Sequence, residues 1–219
     1  MNEIVILIIS MIMMPILYFG GLMLSKSSFS EEENINRKPF HSIWEILTLT
    51  VSELLIIKLW YSNIYKTESK LYFAMLFIAL ALITTICITD IWEHIVSNRL
   101  LLIGLCLGLL IIGIYFLADM KTAVGFLTGA AIGFVFCLLC FGMVYLATKG
   151  GLGAGDVKLC VLLGLIMTDK FVVKTLLYAC IVSALYSIFM LIRKKLDRHS
   201  SFPFVPFIYI GMAITIILG

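Results

Sequence analysis

The sequence predicts an all-α polytopic membrane protein of about eight transmembrane helices with its N-terminus outside, and three observations carry that reading. Hydrophobic residues make up 62% of the 219-residue chain. Charged residues make up 13%, against roughly 25% in an ordinary soluble chain. Apolar runs close to the roughly 20 residues that cross a hydrocarbon core recur from one end to the other. A soluble domain is excluded, and the bilayer is the first partner implied. A net charge of +3, with the basic residues in loops, gives no footprint for nucleic acid.

Candidate spans run 4–24, 43–60, 71–89, 99–117, 123–147, 157–168, 171–191 and 203–218. The first run has no basic residue before it and no Ala-x-Ala pattern after it, so a retained span is expected and not a cleaved signal. Between the sixth and seventh, Thr168-Asp169-Lys170 interrupts what is otherwise one long apolar stretch. The sixth is short for a full crossing, which would leave Asp156 below the membrane surface. With the N-terminus outside, ten Lys and Arg fall in inner loops and six in outer ones. The positive-inside rule favours that orientation, most clearly through the cluster Arg193, Lys194, Lys195 and Arg198.

Six cysteines, Cys87, Cys106, Cys137, Cys140, Cys160 and Cys180, all lie in apolar runs. Cys137 and Cys140 have C-x-x-C spacing but no second pair and no nearby histidine. They read as small hydrophobes, so no metal ligand set and no disulfide framework are implied. Gly125, Gly129 and Gly133, with Ala130 beside them, repeat every fourth residue and predict close helix packing.

Acids carry the functional information, because a carboxylate at a membrane span must be paired, protonated or used. Glu45 and Glu53 sit eight residues apart in the second span, near one face of a helix. Asp90 ends the third span, followed by Trp92 at the depth of an aromatic belt. Asp156 follows Gly150-Gly151-Leu152-Gly153-Ala154-Gly155 and opens an apolar helix. Alternation of spans puts Asp90 and Asp156 on the same, inner side. Two carboxylates sharing a site repel, so one keeps a proton while the other stays ionised. The ionised one can take a proton from water and the protonated one can hydrogen-bond a scissile carbonyl. The backbone around Gly153 and Gly155 is free to hold an extended substrate strand. Pro203 and Pro206 kink or delay the start of the last helix, where a broken helix end would line a site. The competing reading is a non-enzymatic transporter or assembly component with two pathway acids. Transporters, however, place such acids near the midplane, not at span ends.

These residues also resemble a known family. Gly153-Ala154-Gly155-Asp156-Val157-Lys158 resembles the G-x-G-D-x-K form of the G-x-G-D intramembrane aspartyl proteases typical of type IV prepilin peptidases. Asp90-Ile91-Trp92-Glu93-His94-Ile95-Val96-Ser97-Asn98 is similar to that family's D-x-x-x-x-x-[IL]-P-[ND] motif. Pro203-Phe204-Val205-Pro206-Phe207 resembles its P-F-G-P-F, and Ile43-Trp44-Glu45-Ile46-Leu47-Thr48 its V-E-L-L-T helix. The motifs occur in matching order over nearly the whole chain.

The resemblance implies one integral-membrane peptidase domain over 1–219, multi-pass in the cytoplasmic membrane with its site facing the cytoplasm. Its substrates would be type IV prepilins or pseudopilins, from which it removes a short basic leader. The catalytic pair would be Asp90 and Asp156. Gly153, Gly155, Lys158, Glu45, Pro203 and Pro206 would bind substrate or support the pair. Three departures stand out. Ser97 replaces the family's usual proline and Val205 its glycine. The loop 25–42 has no cysteine, where many bacterial members carry two C-x-x-C pairs resembling a zinc site and also methylate the new N-terminus with S-adenosylmethionine. No metal and no cofactor are therefore expected, S-adenosylmethionine entering only if methyl transfer is retained, which this loop argues against. Its acidic patch Glu31-Glu32-Glu33 reads as a solvated loop more readily than as a site for a basic leader.

Overall fold

The computed structural model describes residues 3–26, 43–61, 70–93, 96–148, 152–193 and 203–218. The acidic patch at 31–33, the cysteine-free stretch 27–42, Gly150, Gly151, the Trp92 side chain and the basic residues 194–198 lie outside the described residues. What is described is helical: α1 Glu3–Lys26, α2 Ile43–Tyr61, α3 Lys70–Glu93, α4 Asn98–Ala118, α5 Met120–Ala147, α6 Ala154–Ile192 and α7 Val205–Leu218, with no strand among the described residues. Four helices, α3 to α6, are long and apolar enough to cross a membrane; Ile8–Met23 and Val205–Leu218 are shorter apolar segments. α2 carries Glu45, Glu53 and Lys58 and is not among the four.

α3 is the central helix. In its most apolar window 83% of residues are buried, against 28% or less for α4, α5 and α6, so the element that ends in Asp90 is the one the others pack around. Its polar residues satisfy themselves: the hydroxyls of Thr84, Thr85 and Thr89 donate to the carbonyls of Leu80, Ala81 and Ile86, as a dry interior requires. The outer helices expose large apolar side chains such as Leu102, Leu109, Ile132 and Leu139, the inverse of a soluble protein and the surface lipid tails would cover.

The α6 run is not one straight rod. Thr168 takes φ 64° and ψ 171° inside it, and it is the one non-glycine residue with positive φ among the described residues. On one side of the break, Gly164 packs against Gly133 of α5. On the other, Thr175 and Ala179 pack against Gly211 and Thr215 of α7, and Tyr186 meets the Phe207 ring at 5.4 Å. Phe207 is two residues from Val205, whose N–H meets Asp90, so Tyr186 of the second arm lies back at the end where the first arm begins, although thirty residues of straight helix would carry it about 45 Å away. The two arms therefore run antiparallel, turning at the Thr168-Asp169-Lys170 interruption expected from the sequence.

Two of the three spaced glycines explain the turn's packing. A Cβ on Gly133 would stand 2.5 Å from the Gly164 carbonyl oxygen, and one on Gly129 would stand 3.0 Å from Asp169 Oδ1. Gly125 faces open space. Cys137 and Cys160 are buried in this region, while Cys106 and Cys180 are exposed on the apolar exterior. Between α4 and α5, Asp119 accepts from the Thr122 hydroxyl and from its backbone N–H, and the hydroxyl bond above all holds that carboxyl below the usual range.

Candidate active site

The chain alternates direction so that α3 ends, and α4, the first arm of α6, and α7 begin, at one end of the bundle. Asp90 lies there, 4% exposed, in the last turn of α3. Its Oδ2 accepts a hydrogen bond of 3.1 Å from the backbone N–H of Val205, the first residue of α7. That N–H is one of the helix-start donors with no intrahelical partner, so the acid of one motif caps the helix that the Pro203–Phe207 motif begins. Pro206 falls in the first turn of α7, where its missing N–H costs nothing. The turn closes through Phe207 and Ile208 donating to the Phe204 carbonyl. Pro203 stands just before it, half-buried.

Asp156 is in the first turn of α6, half-buried and within electrostatic reach of Asp90. The two aspartates, 66 positions apart in sequence, are thus brought together at one end. The surrounding glycines turn out to serve the chain's own packing. A Cβ on Gly155 would stand 2.9 Å from the Val96 Cβ, so the glycine lets the start of α6 lie directly on the segment that follows Asp90. A Cβ on Gly153 would stand 3.0 Å from Asp156 Oδ2, so that glycine leaves room for the carboxylate itself. The backbone next to Asp156 is helical from Ala154 onward. Gly155 is already inside α6, and only Gly153, at φ −61° and ψ 134°, keeps extended backbone.

Lys158, exposed on the same turn region, donates from Nζ to Asn98 Oδ1 at 3.2 Å. Asn98 closes the motif that Asp90 opens, so a second contact besides Gly155–Val96 ties the two aspartate segments together. Ser97, in the place of a proline, takes φ −68° and ψ 120°, a φ that proline itself would impose. Val205, in the place of a glycine, is fully buried, so its side chain has a seat. Neither residue takes a positive φ.

Glu45 is half-buried near the start of α2, and Glu53 is half-buried two turns further on. Glu45 lies within electrostatic reach of Tyr18, as does Cys87, one turn before Asp90. Tyr209 of α7 donates to the Thr48 carbonyl of α2 at 2.9 Å, closing α2 onto the same end. Three participants were not anticipated from sequence: the Val205 N–H, Asn98 as partner of Lys158, and Tyr18. The Tyr18 side chain is 1% exposed and its hydroxyl has no hydrogen-bond partner among the described residues. An asparagine–lysine pairing across 60 positions leaves no local pattern, and a tyrosine in an apolar run reads as core. Among the described residues, no group of three His, Cys, Asp or Glu side chains is placed to hold a metal.

Fold and site together define a polytopic helical membrane protein with Asp90 and Asp156 at one end of the bundle, their segments joined by the Gly155–Val96 contact and the Lys158–Asn98 hydrogen bond. Comparison with known proteins makes the class specific. Residues 74–188, more than half of the chain, match the model of the type IV leader peptidase family, and the chain belongs to that family. It is 27% identical over 150 residues to a prepilin leader peptidase/N-methyltransferase of Bacillus subtilis (strain 168). That match covers 68% of this chain and 57% of the relative, so the chain aligns with little more than half of the relative's length. No solved structure matches it.

Proposed function

We propose that this chain is a membrane aspartic endopeptidase that cleaves the basic leader from type IV prepilins or pseudopilins. The observation that carries the reading is the juxtaposition of Asp90 and Asp156, from two separate motifs, at one end of the bundle. Family membership supplies the substrate class.

In this reading the pair shares one proton. The ionised carboxylate takes a proton from water as the water oxygen bonds to the scissile carbonyl carbon, while the protonated carboxyl hydrogen-bonds and then protonates the carbonyl oxygen. As the diol collapses, one of its O–H protons returns to the ionised carboxylate, the C–N bond breaks, and the other carboxyl gives its proton to the departing amine, which restores the pair. Gly153, Gly155, Lys158, Glu45, Pro203 and Pro206 hold the pair or the substrate beside it. The whole chain acts as one membrane domain of eight spans, α6 contributing two. The N-terminus is outside and the aspartates face the cytoplasm, which the ten-to-six distribution of Lys and Arg supports. Cleavage proceeds without metal, and methyl transfer is not part of the reading, because 25–42 has no cysteine.

The test is co-expression with a prepilin in a host lacking its own leader peptidase. A shift of the prepilin to its mature mobility is expected, with an unmethylated N-terminal amine by mass spectrometry. Persistence of the full-length prepilin beside a well-expressed, membrane-inserted chain contradicts the reading.

A further inference from the structure

At the end of the bundle opposite Asp90, the turn in α6 and the glycine face of α5 enclose a cavity of about 400 Å³. Its wall includes Thr128 and Gly129 of α5, Thr168 and Asp169 at the turn, and Lys170 and Lys174 of the second α6 arm. The aspartate chemistry uses none of these residues.

Three features distinguish this cavity from a packing gap. First, it is built on a fixed, costly conformation. A threonine with φ 64° is strained by an amount on the order of 1–3 kcal/mol and persists only where its surroundings over-determine it. Here the backbones of Gly133 and Gly164 meet and pin the turn. Second, Lys170 and Lys174 are one helical turn apart, so both ammonium groups lie on one face. Two like charges at that spacing repel, and an anion seated between them removes the repulsion. Third, the charges bound the ligand. Asp169 is held with Oδ1 against Gly129, so the two lysines and one aspartate leave a net of one positive charge. A phosphodiester carries one negative charge, whereas inorganic phosphate near neutral pH carries more. Both lysines are exposed and sit where an apolar helix pair turns, on the outer face in the orientation proposed above, at the depth where a long lysine side chain reaches a headgroup phosphate.

We propose that this cavity binds the phosphodiester of an anionic lipid headgroup, with Lys170 and Lys174 as its cationic contacts.

The probe is phosphatidylglycerol titrated into the full chain purified in a non-ionic detergent, with thermal unfolding as the readout. Near saturation a Tm rise of at least about 5 °C is expected, with none from phosphatidylcholine. The double variant K170Q/K174Q should keep its lipid-free Tm and lose the rise. Lys121→Gln, which removes an exposed lysine on α5 that does not line the cavity, should keep it. Native mass spectrometry of the purified chain should show co-purified phosphatidylglycerol on the wild type and not on the double variant. An equal rise with inorganic phosphate alone overturns the lipid and assigns the cavity to free phosphate. No rise with phosphatidylglycerol, or a rise that survives K170Q/K174Q, overturns the site itself.

Discussion

The Asp90 carboxylate accepts a 3.1 Å hydrogen bond from the backbone N–H of Val205, 115 positions further along the chain. The acid at the end of α3 thereby caps the helix that closes that end of the bundle, the end at which α6 and Asp156 also begin. The bond comes from main chain, so side-chain replacement at 205 leaves it in place and only proline removes it. Val205 is the first residue of α7, where proline fits the helix and no intrahelical bond is lost. Val205→Pro should therefore keep α7 but cost about 1–3 kcal/mol of stability, because it takes a main-chain donor away from a buried carboxylate. Val205→Ala should keep the bond and lose only packing. Denaturation of both variants in detergent, read beside prepilin cleavage, separates the two. Equal cleavage by V205P and V205A would remove the N–H from the account.

Gly155 and Val96 set how closely the Asp156 turn can lie on the segment after Asp90. A methyl group at 155 would sit 2.9 Å from the Val96 Cβ, an atom next to the backbone that cannot swing away. Gly155→Ala should move the α6 start by a few tenths of an ångström or more and reduce cleavage by about 10- to 100-fold. The protein should remain inserted, at a stability cost of about 1–3 kcal/mol. The partner change Val96→Gly removes the colliding atom, so G155A/V96G should recover cleavage relative to G155A alone. Failure of that rescue would place the glycine's role elsewhere, such as in direct contact with substrate.

Much of this architecture was legible in the sequence, and the part that was not has one physical origin. Most helix positions were legible because a membrane span must be apolar over most of its length, although α2, with Glu45, Glu53 and Lys58, is less apolar than the long spans. The turn at Thr168 was marked by Asp169 and Lys170, a charged pair that the middle of a span would not tolerate. The shared end of Asp90 and Asp156 followed from counting crossings. By contrast, the reason for Gly155, the Lys158–Asn98 bond and the seat of Val205 depend on contacts between segments far apart in the chain. Composition and periodicity are local and carry no trace of them. The glycines before Asp156 were legible as a demand for close approach, but the approaching group is the protein's own chain.

Ser97 takes φ −68°, the value that a proline ring imposes. Proline there would restrict the unfolded chain without disturbing the folded one. Ser97→Pro should raise stability by about 0.4–1 kcal/mol and leave cleavage unchanged, as measured by thermal unfolding and processing assays on the same preparation. A drop in Tm would mean that the Ser97 N–H makes a bond the folded protein needs.

The Tyr18 hydroxyl is buried without a hydrogen-bond partner among the described residues. A buried unpaired hydroxyl costs about 1–3 kcal/mol in its folded setting, while the ring is well used against Leu49 and Ile88. Tyr18→Phe keeps the ring and deletes the cost, so its Tm should equal or exceed that of the wild type. A clear loss of stability in Y18F would show that the hydroxyl is satisfied in the folded protein, by water or by a residue outside the described set.

The claim that Asp90 and Asp156 act as one catalytic unit is tested most directly by cleavage of a prepilin by Asp90→Asn, Asp156→Asn and the double variant, each purified from membranes at wild-type level. Groups that work as a unit lose their effect together, so each single variant should abolish processing and the double should be no worse than either. Substantial processing by either single variant, or losses that multiply in the double, would contradict the shared-proton pair.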